Sequence, residues 1–293
     1  MAYFIDIAGS QITGDLEALT IIEFAYPTMP NRAFGRFARR TRGNPANWRS
    51  SYQAESASGD GTVQADSDAA GGNARKFTFS AVDVEKTCSW TENTNVADRV
   101  GEMQVFAVLK DFSATAQQFA CSVDLAIGGV PARAGKARDP GFYHLSGAKY
   151  EVVYLDRFEI PVSPVPANWS WKFRVHRTTG TDEVWLDKLF LLPADEPMGS
   201  IDWTSYSDLS AAAAKTFVFD SQFRKAYYGT VSGGSLAPAL FSGGLTLTPG
   251  LDTRIIFEHA FDSGWSGGAP TLPAYPATPI SSATLTLVPR FKR

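Results

Sequence analysis

The chain has 293 residues, 44% of them hydrophobic, 13% aromatic and 19% charged, with 25 glycines and 17 prolines, a composition that excludes disordered and fibrous classes and fits a turn-rich globular protein. Basic and acidic residues number 27 and 30, a formal charge of -3, which gives no overall attraction for nucleic acid or an anionic membrane surface. No apolar run approaches the roughly 20 residues that span a bilayer, so membrane insertion is not expected, and the length suits two ordinary domains or one large sandwich with an appended one.

In chain order, the opening MAYFIDIAGSQITGDLEALT lacks the basic and long apolar regions of a signal peptide. Short apolar or alternating runs bounded by Gly, Pro, Asn, Asp and Ser then recur: 3–7, 18–26, 75–82, 103–110, 119–127, 150–160, 170–177, 183–192, 216–220, 254–261 and 283–291. Each has strand length and strand periodicity. Only DLSAAAAK (208–215) reads as a turn or two of helix. Arginines 32, 36, 39, 40, 42 and 49 form a basic run with no acidic residue between Glu23 and Glu55. Without interleaved aromatic stacking groups it reads as a strand and loop meeting an acidic neighbour, and not as a phosphate site. Cys88 and Cys121 sit in strand-like contexts and read as buried thiols.

Strands at this spacing without intervening amphipathic helices predict an all-β chain of antiparallel β-sandwiches. The segment LLPADEPMGS (191–200) is the strongest boundary, with a second punctuation at TRGNPANWRSS (41–51) and a long Gly/Pro loop over 263–279. This divides the chain into N-terminal strands 1–45, a unit over 46–195 and a C-terminal β-sandwich over 196–293. The N-terminal strands can pack with the C-terminal sandwich, leaving the middle unit inserted between them.

Signatures of catalysis are sparse. His144, His176 and His259 lie far apart, no HExxH, GxSxG, P-loop or GxGxxG occurs, and the SGG triplets have no following helix to hold a phosphate. Carboxylate pairs of the kind that cleave glycosides would have to come from Glu92 with Glu102, or Asp195 with Glu196, all beside turn residues. The expectation is a protein that is not an enzyme.

From Tyr52 the order YQAES, a Gly/Asp-rich turn, SDAAGGNARKFTF, GEMQVFAVLK and EVWLDKLFLLP resembles the jelly roll of family 6 carbohydrate-binding modules and related galactose-binding-like domains. That resemblance implies a structural calcium where Glu55 of the opening strand and Asp187 of the closing strand meet, hard oxygens being what calcium takes. The residues themselves leave open that both are strand-end carboxylates satisfied by backbone or by Arg75. It also implies glycan-binding aromatics on loops, for which Trp90, Tyr143, Trp169 and Trp171 are the candidates, against a reading of them as core or interface residues. Beyond this calcium no cofactor is implied. The whole chain, with ITGDLEALTIIEFA at the start and GGLTLTPGLDTRIIFEHA and SATLTLVPRF near the end, resembles β-rich distal-tail-like or minor tail proteins of long-tailed bacteriophages. The resemblance implies a virion tail component made in the host cytoplasm without a signal peptide. Its partners would be other virion proteins, further copies of itself and a host cell-surface glycan, with no nucleic acid. The alternative is a non-catalytic carbohydrate-binding, receptor-binding module.

Overall fold

A computed structural model describes residues 2–26, 33–40, 51–66, 69, 71–92, 101–111, 119–127, 130–134, 150–160, 169–194, 198–202, 215–223, 225–230, 237–238, 240–243, 245–261 and 282–291. Within these the chain is all-β and antiparallel throughout, broken only by 3-10 turns such as Gly9–Gln11 and Ala54–Ser56. No helix among the described residues is long and apolar enough to cross a membrane. The segment 208–215, read as helical, lies outside the described residues except for Lys215, which begins a strand.

Three strands come first: β1 (Ala2–Ile7), β2 (Leu16–Tyr26) and β3 (Ala33–Arg40). Next are β4 (Ser51–Gln53), β5 (Ser58–Gly59), β6 (Thr62–Ala65), β7 (Asn73–Phe77), β8 (Lys86–Glu92) and β9 (Gly101–Asp111). They continue as β10 (Phe119–Ile127), β11 (Val130–Ala134), β12 (Tyr150–Ile160), β13 (Trp169–Arg177) and β14 (Val184–Pro193). The last group is β15 (Met198–Asp202), β16 (Lys215–Asp220), β17 (Lys225–Thr230), β18 (Ala237–Pro238), β19 (Leu240–Gly243), β20 (Thr246–Leu247), β21 (Thr253–Phe261) and β22 (Ser282–Arg290).

These strands form two compact units, one of Met1–Trp48, Asp195–Asp262 and Pro276–Arg293, the other of Arg49–Ala194 and Ser263–Tyr275. In the first unit one sheet runs β1-β21-β3-β15-β19, and the other runs β18-β17-β16-β2-β20 with β22 also on β2. Strands from the two ends of the chain therefore share each sheet. The Gly-Asp turn before β2 is held by Asp15 N donating to Arg290 O at 3.0 Å, just beyond the Leu16–Arg290 pairing. At the same end, Gly250 N donates to Gly9 O and Gly9 N donates to Asp252 Oδ1 at 2.8 Å. The two backbones come so close that a Cβ on Gly9 would sit 2.5 Å from the Gly250 carbonyl carbon, and Gly250 itself turns through φ +77°. The TPG phrase at 248–250 is thus a clamp on the N-terminal turn as well as the start of β21.

In the second unit one sheet runs β11-β10-β13-β8-β5, and the other runs β12-β9-β14-β7-β6 with β4 also on β14. The core lies between them, where Phe77 of β7 meets Phe173 of β13 at 6.1 Å and Tyr52 of β4 meets Trp90 of β8 at 6.3 Å. Strand β13 alternates buried and partly exposed residues along its length, as a strand with one core face does, whereas β14 is buried at every position and reads as a near-continuous apolar run because both its faces are covered. Met103, Val105, Ala107 and Leu109 line the inner side of β9 with no exposure. They lie in the same sheet as Phe77, two strands across, so the strand that faces Phe77 is β13 and not β9.

Candidate functional site

The period of two along β13 decides the fate of its tryptophans. Trp169 and Trp171 share a face with Phe173 and Val175 and are 2% and 0% exposed. Their rings meet edge to face at 5.1 Å, and Trp171 also meets Phe158 of β12 at 5.3 Å. Trp90 is 5% exposed, its indole N–H donating to Gln53 O at 2.8 Å. A sugar stacks on an aromatic face that water can reach, and these three are at most 5% exposed. Trp90, Trp169 and Trp171 are core residues, a correction to the glycan-binding role that the resemblance implied. Tyr143 lies outside the described residues.

The implied calcium fails on the same kind of evidence. Glu55 stands in the 3-10 turn after β4, and Asp187 stands at the irregularity in β14 where the register with β9 shifts between Leu186 and Lys188. Glu55 Oε1 lies against Gly71, at 2.6 Å from where a Cβ would be, and its Oε2 is buried with no hydrogen-bond partner. Burial pushes the Glu55 carboxyl above its usual range. The backbone oxygens around this turn are gathered by the guanidinium of Arg75. Among the described residues no group of three or more His, Cys, Asp or Glu could hold a metal ion. The residues present therefore do not fit a calcium at Glu55 and Asp187.

What the fold does assemble lies on the other side of the β9–β12–β14 sheet. Pairing places Tyr150, Lys110, Trp185 and Lys76 in one row across four strands. Lys110 Nζ sits 4.9 Å from the Tyr150 ring centre and 5.5 Å from that of Trp185, a doubly aromatic setting for an ammonium. Its carboxylate is Asp66, 2.5 Å away, which also accepts from the Tyr150 hydroxyl at 2.9 Å. Both side chains of that ion pair are almost inaccessible, at 4% and 7%. Lys76 in turn pairs with Glu183, which accepts from the Trp185 indole at 3.0 Å.

Farther along the same face the surface opens. Tyr154 of β12 is 39% exposed and rests on Phe106 at 5.5 Å, which is itself stacked on Phe190 at 4.9 Å. The register of β12 on β9 shifts between Tyr154 and Asp156, and such a bulge re-aims side chains: Tyr154 and Arg157 come to the same face. Arg157 pairs there with Glu102, both side chains reaching solvent, and Gln104 lies opposite Arg157. A rigidly backed aromatic ring beside an exposed guanidinium–carboxylate pair and an amide is the chemistry that receives a sugar: apolar C–H faces on the ring, hydroxyl pairs on the planar polar groups. We take this patch as the candidate site. The bulge breaks the alternation that would have announced it in the sequence.

Glu102 is engaged by Arg157; Glu92 ends β8 opposite Trp169 in register; Asp195 and Glu196 lie outside the described residues. His176 is half-buried on β13, His259 lies on β21 opposite Gly35, and His144 is outside the described residues. Cys88 and Cys121 are buried and not joined in a disulfide, and burial pushes Cys88 up to about 12. Of the basic run, Arg39 is 9% exposed and donates to Thr246 O at 2.6 Å and to Glu17. A hydrogen bond from Thr246, ahead of that from Arg39, holds Glu17 below its usual range. Arg36 lies opposite Glu258 in register, while Arg32, Arg42 and Arg49 are outside the described residues. Arg174 pairs across strands with Asp124 and Glu85, but Arg177 is fully buried and donates to the carbonyls of Asp182 and Glu183.

No protein-family model matches this chain, and no curated protein matches it. Solved structures do resemble part of it. A family 35 carbohydrate-binding module from Clostridium thermocellum aligns at 14% identity over 48% of this chain and 97% of its own, with a TM-score of 0.31. TmCBM61, solved in complex with beta-1,4-galactotriose, aligns at 14% identity over 52% and 91%, TM-score 0.31. The enzymatically active domain of tailspike protein 4 of bacteriophage CBA120 aligns at 12% identity over 51% of this chain and 20% of its own, TM-score 0.32. The chain spans 28% of the length of an exo-beta-1,3-galactanase from Phanerochaete chrysosporium that it also resembles. These are distant likenesses to β-sandwich carbohydrate-binding modules and to a phage tailspike domain, over about half the chain.

Proposed function

We propose that this protein is a non-catalytic carbohydrate-binding protein that contacts glycan through the Tyr154 face of its second unit. The observation that carries the reading is Tyr154 itself, an exposed ring backed by Phe106 and flanked by Arg157, Glu102 and Gln104. Tyr is well suited to the task because it offers a large stacking area at little entropic cost. The setting we propose is a tail or baseplate protein of a long-tailed bacteriophage, which the sequence resembles, with the sugar on the host surface. The test is affinity electrophoresis of the full chain against bacterial surface polysaccharides, with Tyr154→Ala and Trp90→Ala compared. Retardation by at least one polysaccharide is expected, with Tyr154→Ala losing about tenfold or more in affinity, the scale of one stacked base or ring at 1–3 kcal/mol. Trp90→Ala is expected to destabilise the unit. No retardation by any polysaccharide, or a Tyr154→Ala variant that binds unchanged, defeats the proposal.

A second reading, assembly of the first unit with copies of itself or other virion proteins, is favoured by a separate observation. Phe223, Phe291 and Leu251 are 63%, 64% and 46% exposed. The segments carrying them are held to the N-terminal part of the chain by Ser221 N donating to Thr20 O, by Arg290 opposite Leu16 and by Gly250 N donating to Gly9 O. Sedimentation velocity is expected to show a concentration-dependent oligomer that Phe223→Ser with Phe291→Ser dissociates. A strict monomer at high concentration contradicts this reading.

A further inference from the structure

We infer that Arg75 is a built-in cation that takes the place of a structural metal in the second unit, so that its opening turn is closed by a side chain and not by calcium. The segment from Ala54 to Gly61 folds its backbone oxygens inward on one point. Arg75 reaches that point from β7 and donates from Nε to Ala54 O at 2.9 Å, from Nη1 to Asp60 O at 2.8 Å and Gly61 O at 3.3 Å, and from Nη2 to Ala57 O, with Gly59 O at 3.5 Å from Nη1. Arg75 is 6% exposed, and Ala54 and Ala57 are buried with it, so their two oxygens have little water to fall back on and would be costly to strand.

The loop is built for this arrangement. Gly59 and Gly61 turn through φ +120° and +85°, conformations that carry the carbonyls around to the guanidinium. A Cβ on Gly59 would meet Thr87 O at 2.6 Å, and one on Gly61 would meet Lys76 O at 2.7 Å. Asp60 fixes the other side, its N–H donating to Thr87 O at 2.7 Å and its carboxylate accepting from Thr87 N at 2.8 Å. The SGDG sequence is therefore a holder for Arg75. An array of convergent carbonyl oxygens is what a hard cation takes, and a planar guanidinium with five fixed donors can satisfy the same array where a lysine ammonium has three. Register puts Arg75 opposite Leu186, next to Asp187, and Ala54 precedes Glu55. The guanidinium thus stands in the neighbourhood where the calcium was expected.

The test is thermal melting of the full chain with excess EDTA and with millimolar calcium, alongside calorimetric titration with calcium alone. The wild type is expected to melt identically in both and to give no binding heat. Arg75→Ala is expected to melt about 6 °C lower, the scale of a few stranded polar groups in a unit of this size. Arg75→Lys should fall between the two, and ethylguanidinium should restore part of the loss in Arg75→Ala. Should Arg75→Ala fail to fold, the wild-type titration still decides. A wild type that binds calcium and loses stability in EDTA, or an Arg75→Ala variant as stable as wild type, overturns the inference.

Discussion

Replacing Trp171 with alanine is expected to lower the melting temperature of the second unit by about 10 °C and to leave no independent effect on glycan affinity. The side chain has no exposure and meets Trp169 and Phe158 edge to face at 5.1 and 5.3 Å. Strands β10 and β8 flank β13 on either side, so the surrounding main chain is hydrogen-bonded on both edges and poorly able to collapse into a void. Truncating a buried aromatic to alanine costs about 3–5 kcal/mol, transfer and cavity together, and each kcal/mol moves the midpoint of a domain of this size by roughly 2–4 °C. The near-ultraviolet circular dichroism melt is the measurement. A Trp171→Ala protein of unchanged stability but lost polysaccharide binding would restore the surface role that its burial argues against.

Asp66→Ala is expected to be comparably damaging for a different reason. It removes the carboxylate 2.5 Å from Lys110, whose side chain is 4% exposed, and takes away the acceptor of the Tyr150 hydroxyl. Breaking one partner of a buried ion pair costs about 3–5 kcal/mol because the remaining charge stays desolvated, whereas replacing both by apolar groups is often neutral. Asp66→Ala should therefore lower the denaturation midpoint strongly, while Asp66→Leu with Lys110→Met should cost far less than the two single changes summed. A double-mutant cycle in urea measures this. Additive losses would mean that the pair is not coupled.

Much of this architecture is visible in the chain before folding, because the main strands announce themselves by period two. Strands β10 and β12 coincide with the apolar runs at 119–127 and 150–160. The WSW triplet is instructive: with Phe173 and Val175 necessarily inward, Trp169 and Trp171 on the same parity had to be inward too, so their place in the core was legible and the loop role came from resemblance alone. Other features depend on distant partners and leave no local trace. The basic run read as a strand and loop meeting an acidic neighbour does form β3 over AFGRFARR, but that Arg39 donates to Thr246 O and Glu17, far away in sequence, could not be read locally. Arg177 sits on the inward parity of β13 despite its charge because the carbonyls of Asp182 and Glu183 come back to meet it. Tyr154 was hidden by the bulge that places it beside Arg157. Glu55 and Asp187 were a ligand pair by resemblance alone; strand pairing does bring their segments together, but the carbonyls of that turn are taken by Arg75.

Among the described residues of the second unit, the outer face of the β9–β12–β14 sheet is sealed at Lys110 and open at Tyr154. On the function proposed above, this surface binds glycan without cleaving it. The most direct measurement is a calorimetric titration of the full chain and of Tyr154→Ala with the polysaccharide that retards it most, with reducing ends assayed in the same samples. Saturable binding by the wild type, loss of that binding in a Tyr154→Ala protein of unchanged melting temperature, and no new reducing ends is the predicted result. Equal binding by the two proteins, or release of reducing ends by the wild type, would contradict it.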